Sequence, residues 1–321
     1  MNFDTKIESH IFRDMTFLIK RDDLIDEKIN GNKAYKFYFL FDINCKQIVS
    51  YGGNQSNAML TLSYIANAKN IKFTYFTLPL SNYLKNNTNG NLKLALQNGM
   101  NIKYSSIPNT ESLNYAKEND ALFVPQGGAM KEAGIGLEKL AKKIVELKLD
   151  NLCVFYSSGS GASSLFLSKF LKPYSIDVWT TNCVGTKEYL IKQFLNLEND
   201  KNKHPNIIST SKKISFAKPY IEILEMYEKW LESGIEFDLL YDCIMWQAIS
   251  DNLHLFKKYN GELTEEQRIE MGDQLLEKYY IEMGVEDNQL LSESIRIMYE
   301  DGLIDFENII TQSYPFRQGF K

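Results

Sequence analysis

Residues 20–57 read KRDDLIDEKINGNKAYKFYFLFDINCKQIVSYGGNQSN, and this stretch decides the fold. It contains a Gly-Asn-Lys turn at residues 31–33 and a short apolar strand at residues 48–50 that runs into a glycine pair. A strand that passes through glycines into a helix leaves unpaired backbone N–H groups at the helix N-terminus, where an anion binds well. The stretch therefore predicts a strand-to-helix passage with a carboxylate or phosphate at the helix start.

Apolar strand-like runs and amphipathic helical runs alternate along the chain on both sides of this stretch. Strands are expected at residues 17–20, 48–50, 72–77, 102–105, 121–124, 151–156 and 176–181. Helices are expected at residues 32–41, 56–68, 92–98, 113–119, 134–148, 165–170, 187–197 and 220–233, and residues 1–16 are expected to be an approach segment. Such alternation predicts an α/β protein with parallel or mixed sheets flanked by helices.

The composition excludes several classes of protein. The chain has 321 residues, of which 44% are hydrophobic and 24% charged, so a globular protein of two domains is expected. The net charge of −5 argues against nucleic-acid binding, and no apolar run approaches the roughly 20 residues that span a bilayer. The N-terminus lacks the apolar core of a signal peptide, so we expect a cytoplasmic protein. Four cysteines and three histidines, without metal-ligand spacing, predict no metal site.

A second glycine-rich segment follows the expected strand at residues 151–156. Residues 157–164 read SSGSGASS and precede a helix. Backbone N–H groups and hydroxyls in such a loop are typical of a phosphate cradle, and the sequence lacks the Gly-Lys-Ser/Thr of a Walker loop. We expect the phosphate to contact the loop through six residues: Ser158, Gly159, Ser160, Gly161, Ala162 and Ser163.

Three motifs in order carry a resemblance to a known family. They are Lys-Arg-Asp-Asp at 20–23, Gly-Asn-Lys-x-x-Lys at 31–36 and Gly-Gly-x-Gln-Ser-Asn at 52–57. This series resembles the fold-type II pyridoxal-phosphate (PLP) enzymes, in the branch of 1-aminocyclopropane-1-carboxylate (ACC) deaminase and D-cysteine desulfhydrase. The resemblance is firm over residues 17–165 and extends to about residue 250.

The resemblance implies a two-domain fold like that of the tryptophan synthase β subunit. Residues 1–45 plus 149–270 would form the larger cofactor domain, and residues 46–148 a smaller inserted domain. Residues 271–321 would form a C-terminal helical extension. A homodimer is also expected.

The resemblance assigns cofactor contacts to several residues. Lys33 stands where the family has the lysine that bonds covalently to PLP, and Lys36 stands near the phosphate. The loop at 159–163 resembles the family's Gly-Ser-Gly-Gly-Thr phosphate loop. Tyr241 and Asp242 resemble the family's Tyr-Glu pair, in which the tyrosine takes part in proton transfer and the acid pairs with the pyridine nitrogen.

The start of the helix after the glycine pair is expected to bind substrate. Asn54, Gln55, Ser56 and Asn57 would hold the substrate carboxylate, with Asn57 also beside the cofactor ring hydroxyl and Ser56 nearest the reacting carbon. A plain helix cap at Ser56 is the alternative explanation, and both can be true.

We therefore predict a PLP-dependent deaminase or lyase acting on a small amino acid. D-cysteine, aminocyclopropane carboxylate, serine and diaminopropionate all remain open as substrates. The chain departs from the family pattern at Asp242, which is Glu in the family, and it lacks a His-x-Gly-Gly or Thr-Gly-Gly segment after residue 250. Two alternatives follow, namely a PLP-binding protein without catalysis and a non-PLP α/β protein that binds another phosphate.

Overall fold

Parallel strands form the two main sheets of the protein. The structure, a computed structural model, describes residues 1–29 and 31–259. The strands are β1 Ile7–Phe12, β2 Met15–Lys20, β3 Gln47–Tyr51, β4 Lys72–Thr77, β5 Asn101–Tyr104, β6 Leu122–Val124, β7 Cys153–Phe155, β8 Asp177–Thr180 and β9 Asn206–Ile207. A four-stranded sheet has the order β5-β4-β3-β6 and a three-stranded sheet the order β7-β8-β9. All pairs in these two sheets are parallel, which confirms the α/β class.

Helices connect the parallel strands, as crossovers between parallel strands require. They are α1 Gly31–Lys36, α2 Asn57–Ala68, α3 Asn82–Asn86, α4 Gly90–Gln97, α5 Pro108–Glu118, α6 Ala133–Glu146, α7 Ala162–Leu171, α8 Lys187–Leu197, α9 Ile221–Glu232 and α10 Asp242–Asp251. The main core contains side chains from α1, α2, α6 and α7 and from β3 and β4. Within the described ranges, no helix combines the length and apolarity needed to cross a bilayer.

The N-terminal segment is a β-hairpin, which corrects the expectation of an approach segment over residues 1–16 with a strand only from residue 17. β1 pairs antiparallel with β2, and the turn residues Arg13 and Asp14 both have positive φ, 52° and 60°. Such turns usually carry Asn-Gly, so this one leaves a weak signal in the sequence. Phe12 and Phe17 pack against Trp246 of α10, at ring distances of 5.1 and 5.0 Å. Contacts distant in sequence thus stabilise the hairpin.

The single helix expected at residues 32–41 is two short pieces. α1 ends at Lys36, and a 3-10 helix runs over Tyr38–Phe41. Apolar side chains are buried around most of the circumference of both pieces. The segment therefore lacks the single apolar face from which the length of a surface helix is predicted. The proposed boundaries between a larger and a smaller domain stay a prediction, and residues 271–321 lie outside the described residues.

A glycine in α6 allows α1 to pack closely against that helix. A Cβ on Gly136 would lie 1.9 Å from the carbonyl oxygen of Tyr35, which sits between Lys33 and Lys36. A side chain at position 136 would displace α1, because it would meet the backbone of Tyr35, which cannot move without the helix. The position of both lysines therefore depends on this glycine.

We expect Gly136→Ala to lower the free energy of unfolding by about 1–3 kcal/mol, the usual cost of overpacking. Gly134→Ala is the matched control in the same helix, because its Cβ would meet the Phe166 ring at 3.4 Å, an ordinary contact. Urea unfolding of both variants measures the difference. Equal stability of the two variants would contradict the close packing of α1 on α6.

Candidate active site

A cavity of about 70 Å³ lies where α1, the start of α2, the loop at 157–164 and Tyr241 meet. Ten of the residues predicted from sequence to be functional line it: Lys33, Lys36, Ser56, Asn57, Ser158, Gly159, Ser160, Gly161, Ser163 and Tyr241. These residues come from four separate parts of the chain. The fold thus assembles most of the predicted site around one space.

Lys33 presents its amine to this cavity from α1. Its Nζ donates a hydrogen bond of 2.6 Å to Oδ1 of the neighbouring Asn32. Burial lowers the pKa of Lys33 to about 8, and the carboxylates of Asp238 and Asp242 oppose this shift. A lysine with such a pKa is half neutral near pH 8, so it can act as a nucleophile or accept a proton.

Lys36 lies one turn further along α1 and is almost fully buried, with 4% of its surface exposed. Its Nζ donates to the Gly127 carbonyl at 3.1 Å and to the Ser160 hydroxyl at 3.4 Å. Burial, and secondarily the charge of Lys33, lower its pKa well below the usual value. In the part of the chain that the structure describes, no carboxylate pairs with this amine. A buried cation without an anion is costly, so this position favours an anionic ligand.

The loop at 157–164 provides further groups for an anion. Gly161 caps the start of α7 with a φ of 76°, and a Cβ there would lie 2.6 Å from Leu190 and Phe194. The buried Ser163 hydroxyl has no hydrogen-bond partner within the described residues. By contrast, the Ser158 hydroxyl bonds to Ser164 and to a threonine of β8, so it supports the loop.

These observations fit a phosphate group. The helix N-terminus, the unpaired Ser163 hydroxyl and the buried Lys36 amine would all be satisfied by a dianion. Ala162 follows in the first turn of α7, where its backbone rather than its side chain would contribute.

Asp242 and Tyr241 lie at the start of α10. The Asp242 carboxylate accepts a hydrogen bond of 2.7 Å from the Ser157 hydroxyl. Burial raises the pKa of Asp242 to about 6, and the Ser157 hydrogen bond opposes the rise. Burial also raises the pKa of Tyr241 to about 12. The Tyr241 ring packs so closely on Gly159 that a Cβ there would lie 3.0 Å from it.

The start of α2 brings only some of the predicted substrate residues to the cavity. Ser56 caps α2 and accepts a hydrogen bond of 3.3 Å from the Met59 N–H. Asn57 lines the cavity, whereas Asn54 and Gln55 do not. The Gln55 side chain points to α4 instead, where its Nε2 donates to the Asn89 carbonyl at 3.2 Å. Gln55 can therefore contact a ligand here only through its backbone.

Sequence reasoning missed Asp238. Its Oδ1 accepts from the backbone N–H groups of Leu240 and Tyr241 at 2.7 and 3.0 Å. Its Oδ2 accepts from Asn57 Nδ2 at 3.5 Å. Asp238 thus holds Tyr241 in place and reaches towards the start of α2. An aspartate just before a helix is a turn signal that could have marked it.

Asn32, Ser157 and Gly127 also belong to the site, through the contacts described above. Asn32 lies in the Gly-Asn-Lys motif, Gly127 lies in a Gly-Gly pair after the strand at 121–124, and Ser157 begins the hydroxyl-rich loop. Their roles depend on which long-range neighbours they contact, which local sequence does not specify.

A larger cavity of about 540 Å³ lies between α6, α7 and α8. Its walls include Phe166 and Phe170, and its Lys169 forms an ion pair of 2.8 Å with Glu198. Its other lysine, Lys131, is exposed, so neither lysine is a buried cation without an anion such as the one that marks the smaller cavity. The smaller cavity is therefore the better candidate for chemistry.

Comparison with known proteins supports the resemblance. No family model matches the chain. The bifunctional D-cysteine desulfhydrase/1-aminocyclopropane-1-carboxylate deaminase of Arabidopsis thaliana, a mitochondrial protein, is 24% identical over 243 residues. That alignment covers 62% of this chain and 60% of the plant protein, so the chain matches somewhat less than two thirds of its relative.

Solved structures share the fold. The ACC deaminase homologue superposes with a TM-score of 0.65 at 18% identity, covering 86% of this chain and 94% of that chain. A hydrogen sulfide-producing enzyme from Fusobacterium nucleatum has a TM-score of 0.55 at 13% identity, covering 80% and 89%. The solved structures confirm the predicted fold, and the plant protein agrees with the family resemblance of the three motifs.

Proposed function

We propose that this chain, as a member of the fold-type II family of ACC deaminase and D-cysteine desulfhydrase, is a PLP-dependent lyase or deaminase of small amino acids. One observation supports this most strongly. A lysine with a pKa near 8 and a buried, unpaired lysine beside a serine-rich helix start line the same cavity. The first suits covalent attachment of an aldehyde, and the second suits its phosphate.

PLP would supply an electron sink that stabilises negative charge at the substrate carbon. In our proposal the protein supplies the rest. Lys36, the Ser158–Ser163 segment and the α7 N-terminus would hold the phosphate. Lys33 and Tyr241 would move protons, with the Tyr241 phenol kept neutral by its high pKa. Asp242 would keep the cofactor nitrogen protonated by pairing with it.

The substrate side is proposed to lie at the start of α2. Ser56 and Asn57 line the cavity there, at a helix N-terminus that favours a carboxylate. The Ser56 hydroxyl would then lie over the reacting carbon as a nucleophile or proton relay. Homodimer formation and a cytoplasmic location stay predictions.

An amino-acid screen tests the proposed function. Purified protein incubated with PLP is offered D-cysteine, aminocyclopropane carboxylate, serine and diaminopropionate, and release of ammonia, sulfide and keto acid is measured. We expect turnover of at least one of them. Protein that takes up PLP without any turnover would favour a binding protein without catalysis. Protein that stays colourless with PLP would favour a non-PLP phosphate binder.

Ser56→Ala is expected to lower the turnover number by roughly 10²- to 10⁴-fold, the usual contribution of a proton-transfer group. The variant keeps every backbone N–H, so the substrate should still change the PLP absorbance spectrum. Steady-state kinetics and a spectral titration measure the two effects. Turnover as fast as the parent's would reduce Ser56 to a helix cap.

The matched control for this variant is Ser81→Ala, since Ser81 caps α3 through the same kind of hydrogen bond, at 3.3 Å. It lies outside the cavity, so its loss should leave turnover unchanged.

A further inference from the structure

A buried tyrosine lies beneath the turn that leads into α2. Tyr75 belongs to β4, where it pairs with Ser50 of β3, and only 1% of its surface is exposed. Its hydroxyl donates a hydrogen bond of 3.1 Å to the Gly53 carbonyl. The same carbonyl accepts the Ser56 N–H at 3.2 Å, which closes the turn from Gly53 to Ser56. The turn therefore rests directly on a β4 side chain.

The residue before this turn has to be glycine because of the same hydroxyl. Gly52 has φ of 149°, and a Cβ on it would lie 2.6 Å from the Tyr75 oxygen. The Gly52 N–H continues the β3–β4 pairing with a bond of 3.1 Å to the Phe76 carbonyl. The absence of a side chain at Gly52 thus leaves the space through which the Tyr75 hydroxyl reaches the Gly53 carbonyl.

The electrostatics agree with a donor role for this hydroxyl. Burial raises the pKa of Tyr75 above its usual value, and the nearby Ser56 hydroxyl offsets part of the rise. The phenol therefore keeps its proton at physiological pH and can donate it to the carbonyl. The Tyr75 hydroxyl therefore contacts both the first residue of the turn, Gly53, and its last residue, Ser56.

We propose that Tyr75 is a positioning residue: its hydroxyl fixes the Gly53 carbonyl and so sets where the turn presents Ser56 and the first N–H groups of α2. This inference rests on the proposed function, in which those groups receive a substrate carboxylate. It extends that function to a residue that lies behind the cavity and lines no part of it.

Tyr75→Phe tests the inference, because phenylalanine keeps the ring and removes only the hydroxyl. With the PLP-loaded protein and glycine as the probe, the glycine dissociation constant from absorbance titration should rise roughly five- to tenfold, the effect of one lost hydrogen bond. For the best amino acid of the screen, KM should rise by a similar factor. Tyr115→Phe is the control, because the Tyr115 ring packs on the ring of the neighbouring Phe76, with 5.5 Å between their centroids. This variant should bind glycine as the parent does.

A second arm needs no cofactor. In the parent background, Gly52→Ala should lower the urea unfolding midpoint strongly, since the Cβ of the new alanine would meet the Tyr75 oxygen. In the Tyr75→Phe background the shift should be at most half as large, because only the backbone strain and the contact with the flexible Gln126 side chain, 3.2 Å from the added Cβ, remain. Equal shifts in both backgrounds, or unchanged glycine binding in Tyr75→Phe, would overturn the inference. Failure of the parent to take up PLP would overturn the proposed function, and the unfolding arm would still decide whether Tyr75 supports the turn.

Discussion

Substitution of Lys33 by alanine is expected to abolish covalent attachment of PLP and to reduce turnover by roughly a thousandfold or more, as loss of a covalent catalyst does. The reason is geometric. Lys33 and Lys36 are the two lysines that line the cavity among the described residues. Lys36 is almost fully buried, whereas Lys33 is only partly buried, which leaves the Lys33 amine as the more accessible nucleophile.

Borohydride reduction of the PLP-treated protein, followed by peptide mass spectrometry, locates the attachment. The adduct should lie on Lys33 in the parent and be absent in Lys33→Ala. Lys36→Met is the matched variant, and it should keep the Lys33 adduct while needing more PLP, because it removes only the cation proposed to meet the phosphate. An adduct on any other lysine would contradict the assignment.

The pKa of Lys33 adds a pH signature to this experiment. The neutral amine attacks an aldehyde, so the rate of PLP attachment in the parent should rise with pH and level off above about pH 8. An unperturbed lysine would continue to gain rate up to about pH 10. The Asp238 and Asp242 carboxylates hold the Lys33 pKa up, so their removal should move the midpoint lower.

Two of the three family motifs and the serine-rich loop contribute residues to one cavity, as the resemblance implied. The Gly-Asn-Lys turn, the α2 start and the serine-rich loop all reach one cavity, as their strand-to-helix contexts indicate. Glycine and hydroxyl residues at strand ends are informative because only a few backbone arrangements there leave N–H groups free. Local chemistry therefore indicated segments that line the cavity, and the roles of their residues stay predictions.

Features that depend on distant packing were not predictable in the same way. The β1–β2 hairpin is stabilised by aromatic contacts to α10, over two hundred residues away in sequence. The direction of the Gln55 side chain follows from α4, and the partner of Asp242 is Ser157 of another segment. In each case the residue type is compatible with several neighbours, and tertiary packing selects one of them.

Asp242→Asn is expected to lower turnover by roughly 10²- to 10³-fold while changing PLP affinity only a few fold. A carboxylate paired with a cationic nitrogen contributes through charge, and each pKa unit of coupling is worth about 1.4 kcal/mol. Asparagine has nearly the same shape and can still accept from Ser157, so the fold and the phosphate contacts should persist. Asp242→Glu, which restores the residue found in the family, should keep turnover well above that of the asparagine variant.

The PLP-free protein offers an independent measurement of the same group. Burial raises the pKa of Asp242 from its ordinary 3.8 to about 6, so between these values the folded state binds more protons than the unfolded state. Stability should accordingly fall as pH rises from about 4 to 6, and Asp242→Asn should remove this part of the slope. Urea unfolding at several pH values checks it. If the slope disappears but turnover stays at the parent level, Asp242 is a buried structural acid and its proposed pairing with the cofactor nitrogen is wrong.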